Sequence, residues 1–148
     1  MDLSSSRFEA RQGHCQVTLD NDSIVVLGGG FSDVWSSANR GSSWRCECEE
    51  APWAARRYFG CCFVRGKLVL FGGSHSTFDV WESSDRGPSW QQLQVLGMES
   101  KLFAFGFCAN RENGIFVIGG SDGQRVKAEV RRSDDGGRSW RLVHSGGS

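Results

Sequence analysis

An eight-residue pattern, Ser-x-Asp-x-Gly-x-x-Trp, constrains this chain more than any other feature. It occurs as Ser83, Asp85, Gly87 and Trp90, and again as Ser133, Asp135, Gly137 and Trp140. A third copy, Ser37, Asn39, Gly41 and Trp44, has Asn in place of Asp. A short polar side chain followed two residues later by Gly builds a tight turn, because the side chain binds its own backbone and Gly accepts positive φ. The Trp then returns a large apolar body to the structure just past the turn. These demands are structural, and none of them calls for chemistry.

The turns are in phase with a second marker. Trp44, Trp90 and Trp140 are separated by 46 and 50 residues, and the pairs Gly28-Gly29, Gly72-Gly73 and Gly119-Gly120 step by 44 and 47. Two markers moving together define a repeat. Each unit holds a short strand, a turn, a four-residue apolar run ending at the Gly pair, a variable stretch, a third strand, the Ser-x-Asp-x-Gly-x-x-Trp turn and a fourth strand. The apolar runs at 24–27, 68–71 and 115–118 do not alternate, which predicts strands covered on both faces. Four antiparallel strands per unit, repeated three times, predict an all-β chain of β-propeller blades. The expected division is blade 1 at 11–53, blade 2 at 54–100 and blade 3 at 101–145, with a Ser/Gly tail at 146–148. Residues 1–10 are expected to supply an outer latch strand.

The units resemble known families at specific residues. The Gly pair followed by Asp33-Val34-Trp35 or Asp79-Val80-Trp81, with the opening Arg11-x-Gly13-His14, resembles kelch repeats. The Ser-x-Asp-x-Gly-x-x-Trp turn is similar to the Asp-box of sialidases, which holds the hairpin between the outer strands of a blade. Three blades form an incomplete ring, since propellers close with about four to eight. A longer parent protein, self-association of two copies into six blades, or docking of the open edge in an assembly would each complete it.

Composition narrows the function. Lys+Arg and Asp+Glu both number 17 in 148 residues, and this balance lacks the basic excess that phosphate binding uses. No continuous apolar window is long enough for a membrane helix, and the first residues lack the profile of a signal peptide. An intracellular, cytoplasmic protein with neither nucleic-acid nor membrane partners is expected. The six cysteines read as reduced core thiols, with Cys15, Cys62 and Cys108 at matching repeat positions. Cys46-x-Cys48 lacks the second ligand pair of a zinc site, so neither metal nor cofactor is expected.

In an antiparallel meander, the loops after the Gly pairs lie at the end opposite the repeated turns. Those variable loops are the expected contact surface, with Trp53, Arg56, Arg57, His75, Phe78 and Arg125 as candidates. The sialidase resemblance would imply an arginine cluster with a Tyr–Glu nucleophilic pair, but the only tyrosine is Tyr58. Glu49-Glu50 and Asp134-Asp135 are neighbours in sequence and do not supply two separated carboxylates. Catalytic residues are therefore not expected. The reading is a non-catalytic kelch-like module for protein–protein interaction; the alternatives are a carbohydrate-binding or sialidase-like propeller fragment and a structural subunit docked through its blade edge. Trp90→Ala is expected to cost roughly 3 to 5 kcal/mol if the indole is fully buried.

Overall fold

The structure, a computed structural model, describes residues 8–146. Most of the expected latch strand, residues 1–7, lies outside the described residues. The described chain is all-β. Its first sheet contains β1 (His14–Thr18), β2 (Ile24–Gly28), β3 (Val34–Ser37) and β4 (Arg45–Cys48). The second contains β5 (Gly60–Val64), β6 (Lys67–Phe71), β7 (Val80–Ser83) and β8 (Gln91–Leu93). The third contains β9 (Gly106–Ala109), β10 (Ile115–Ile118), β11 (Val130–Ser133) and β12 (Arg141–His144). Each sheet is an antiparallel meander in chain order, and the sheets meet through their first strands. They form three propeller blades that do not close into a ring.

Two cores hold the blades together, one in each gap. Val25, Leu27 and Val34 of blade 1 meet Phe59, Cys61, Leu68 and Leu70 of blade 2. On the other face of blade 2, Val69, Phe71 and Val80 meet Leu102, Phe105, Ile115, Val117 and Trp140. In β2, Val25 and Leu27 face blade 2 and Val26 is also buried, and the apolar run of β6 is covered on both sides. That of β10 is not. Ile115 and Val117 are buried against blade 2, whereas Ile118, on the opposite face, is 46% exposed.

The repeated turn is built the same way three times. Ser83 Oγ accepts the Gly87 N–H at 2.8 Å and donates to Asp85 Oδ1, which also accepts the Ser89 N–H at 3.0 Å. Ser133, Asp135, Gly137 and Ser139 repeat this arrangement. Asn39 Oδ1 plays the carboxylate's part, accepting from Ser37 Oγ and from the Ser43 N–H at 2.9 Å. The job needs an acceptor and not a charge, which is why Asn substitutes for Asp. In each turn the Trp indole N–H donates to the Gly carbonyl, at 3.0, 2.7 and 2.8 Å for Trp44, Trp90 and Trp140. Gly87 and Gly137 lie at φ +129° and +96°, and a Cβ on them would sit 3.0 and 2.9 Å from Val34 and Val80 of the preceding blade. Gly is required there twice over, by conformation and by close approach.

All six cysteines are free, and Cys15, Cys61 and Cys62 are buried. Burial pushes the Cys15 and Cys62 thiols up to about 12, so they remain protonated. The expected equivalence of Cys15 with Cys62 and Cys108 does not hold. Cys62 and Cys108 pair with Val69 and Phe116, but Cys15 pairs with Leu27, the counterpart of Phe71. Counting from the preceding glycine misaligned it, because Gly13 lies two positions before the counterpart of Gly60 and Gly106, which is Cys15 itself. Cys108 is exposed.

Candidate interaction surface

At the end of the blades opposite the repeated turns, the segment leading into the first strand crosses the Gly pair of its own blade and, in blades 2 and 3, that of the preceding blade as well. In blade 1, Arg11 makes a bidentate pair with Asp33, at 2.7 and 3.0 Å, and donates to the Gly28 carbonyl. Asp33 also accepts the Trp35 indole N–H at 2.8 Å. Blade 2 repeats every part: Arg56 holds Asp79 at 2.6 and 2.9 Å and the Gly72 carbonyl at 2.8 Å, and Trp81 donates to Asp79 at 2.8 Å. An aromatic ring three residues before each arginine completes the clasp. Phe8 lies edge-on to Trp44 at 5.0 Å, and Trp53 edge-on to Trp90 at 5.8 Å.

Blade 3 lacks the clasp. The register places Leu102, Glu129 and Arg131 where blade 2 has Arg56, Asp79 and Trp81. A looser cluster stands there instead, in which Lys127 reaches Glu99 and Asp122, and Arg131 reaches Glu99 at 3.5 Å.

These geometries revise the candidate residues. Trp53 and Arg56 are 1% and 2% exposed, and Phe78 is buried against Phe71 and Trp140. All three were expected as contact side chains, but they are clasp and core. Sequence placed them in loops correctly; it did not show that these loops fold inward over the blade gap. His75 is nearly buried as well, with Nε2 3.2 Å from Asp79 Oδ1 and Nδ1 without a hydrogen-bond partner among the described residues. Burial disfavours the charged Asp79 carboxylate, but hydrogen bonds from His75 and Arg56, the guanidinium charge and the Trp81 indole outweigh it. Its pKa is held well below the usual carboxylate range. Arg57 and Arg125 are the two candidates that lie exposed.

One exposed residue at this end escaped sequence reasoning. Tyr58 is 50% exposed and adopts φ +57°, a conformation that a tyrosine adopts only under constraint. Its counterparts Gly13 and Ala104 share it, at φ +69° and +56°. The three are joined from blade to blade: the Tyr58 N–H donates to the Gly13 carbonyl, and the Ala104 N–H to the Tyr58 carbonyl. A glycine in the first copy and tyrosine and alanine in the others conceal this equivalence in sequence. The same end also presents Arg57, whose guanidinium lies over Gly30, with Phe31 beside it, and, in the blade 3 loop, the exposed Arg125 and Val126.

The opposite end carries an open groove of about 520 Å³ between the repeated turns of blades 1 and 2. Asn21, Ser23, Asn39, Ser43 and Trp44 line it, and Arg86 crosses to Asp20 at 2.9 Å beside it.

No family model matches the chain, and no curated protein is significantly similar to it. Among solved structures, the fold is similar to that of YjhT, with a TM-score of 0.74 and 14% identity over 91% of this chain. The match covers 52% of YjhT, so the chain spans about half the length of that structure. At this identity the likeness concerns the fold alone.

Proposed function

We propose that the chain is a kelch-like propeller segment with Asp-box turns that acts as a non-catalytic protein-interaction module, and that the loop end around Tyr58 makes the contact. The carrying observation is how this end divides its side chains. The two carboxylates set deepest in it, Asp33 and Asp79, are each consumed by a guanidinium and an indole. What remains outward includes Tyr58, Arg57, Arg125 and Val126, aromatic, cationic and apolar groups, beside the exposed carboxylates of Glu49 and Glu50. Tyrosine and arginine dominate the energetics of protein interfaces because each combines a large contact area with directed hydrogen bonds. The test is affinity capture with the chain beside a Tyr58→Ala/Arg57→Ala variant, read by quantitative mass spectrometry. A protein retained by the first and lost by the second supports the reading; identical captures oppose it.

A second reading, carbohydrate binding, draws on the groove at the other end. There a half-buried indole, Trp44, stands among the amides and hydroxyls of Asn21, Asn39 and Ser43. A glycan array separates the two readings, since only this one predicts a hit that Trp44→Ala abolishes.

A further inference from the structure

Each gap between blades is closed by the same four contacts. The glycine of a repeated turn seats on a valine of the preceding blade: Gly87 on Val34, then Gly137 on Val80. A phenylalanine at the start of the first strand covers the end of the preceding apolar run, with Phe59 over Gly28 and Phe105 stacked on Phe71 at 5.8 Å. The residue at positive φ donates its N–H to its counterpart one blade back, as Tyr58 does to Gly13 and Ala104 to Tyr58. A carbonyl from the entering segment receives an N–H from the preceding Gly pair: Arg56 from Gly29, and Leu102 from Gly73.

Among the described residues, the two outer faces carry the unmatched halves of this set. Blade 3 presents Val130 where Val34 and Val80 stand, Ile118 where Phe71 stands, the Ala104 carbonyl, and Gly120 where Gly29 and Gly73 stand. Blade 1 presents Gly41 in its repeated turn, His14 in the phenylalanine position, the Gly13 N–H and the Arg11 carbonyl. Among the described residues, a Cβ on Gly41 would meet within 4 Å only its own Trp44, whereas Gly87 and Gly137 meet a neighbouring blade. Blade 1 also carries a complete clasp, with the Arg11 side chain 1% exposed, so its outer face is finished like the face that blade 2 turns to blade 1.

We propose that the blade 3 face takes the blade 1 face of a second copy of this chain, and that two such contacts related by a twofold axis close a six-bladed ring. The chain spans about half of the propeller-like structure on which it superposes at a TM-score of 0.74, so two copies supply the matching length. Six blades fall within the range that closes. Head-to-tail contacts close only if the rotation per copy is right; otherwise they run on into open polymers. In the ring, Gly41 seats on Val130, the Gly13 N–H donates to the Ala104 carbonyl, and the exposed Cys108 is covered, as its counterpart Cys62 is in the gap between blades 2 and 3.

The experiment is size-exclusion chromatography with light scattering on the full chain over a concentration series, combined with alkylation of Cys108 read by mass spectrometry. The expected species has twice the chain mass, and its Cys108 is alkylated at least about tenfold more slowly than in the Val130→Arg variant, which becomes a folded monomer. A wild-type monomer at every concentration overturns the proposal. A ladder of species beyond the dimer overturns ring closure, and a dimer whose Cys108 reacts freely overturns the face. If Val130→Arg does not fold, Ile118→Lys, at a position already 46% exposed, serves the same comparison.

Discussion

The tryptophans that end the three repeated turns share a hydrogen bond but not an environment. Trp140 is 5% exposed and packs against Phe71 and Phe78, whereas Trp90 is half-buried against Trp53. Trp140→Ala is therefore expected to cost about 3 to 5 kcal/mol, as for a fully buried aromatic, with Trp90→Ala less damaging. Urea titration of both variants checks the order, and equal losses would contradict it. Asp79 makes a separate prediction through pH. Its folded pKa lies below the unfolded value of about 3.9, so its contribution is complete above that value and fades as pH falls through the folded pKa. Asp79→Asn should be markedly less stable than wild type near neutrality. The gap between the two should narrow once the pH drops below about 4. A gap that stays constant in acid would remove Asp79 from the acid response.

At the scale of elements, the clasp is the part that blades 1 and 2 share and blade 3 lacks. Removing Arg56 alone leaves the Asp79 carboxylate poorly compensated, so Arg56→Leu is expected to cost about 3 to 5 kcal/mol. Arg56→Leu/Asp79→Leu should recover a substantial part of that loss, because blade 3 folds with Leu102 at the arginine position. Thermal melts of the two variants decide it, and a double variant weaker than Arg56→Leu would refute the account. The contrast between turn and clasp also explains what sequence could reveal. The turn is local: Ser, Asp, Gly and Trp lie within eight residues, and their chemistry shows in the order of letters. The clasp joins Arg56 to Asp79 across 23 residues, and no short-range pattern marks the pair. Trp53, Arg56 and Phe78 occupy loop positions by every local criterion, yet the loops turn them into the gap between blades. Tyr58 was hidden for a different reason, since its role depends on a backbone angle it shares with Gly13 and Ala104. Nor does composition distinguish the run at 115–118 from those at 24–27 and 68–71; Ile118 is uncovered because, among the described residues, no blade follows on the face that Leu27 and Phe71 turn to the next one.

For the molecule as a whole, stability resides between blades more than within them. A single four-stranded sheet cannot bury its own apolar faces, so each blade relies on the next, as in other repeat architectures. Blade 2 contributes to both cores, and residues 68–71 of β6 are essentially inaccessible, whereas every residue of β12 is exposed. Native-state hydrogen exchange should accordingly be slowest in β6 and fastest in β12. Phe71 then tests whether the gaps act separately. Its ring touches Phe78 in its own blade and Phe105 and Trp140 in blade 3, all in the second core, and Phe107, which packs against both cores. Phe71→Ala is expected to cost about 3 to 5 kcal/mol and to speed exchange in β9, β10 and β11. Amides of β1 and β2, held by the first core, should change far less if stability is a sum over nearest neighbours. Equal acceleration in all three sheets would mean that the blades unfold as one unit and that the two cores are not separable.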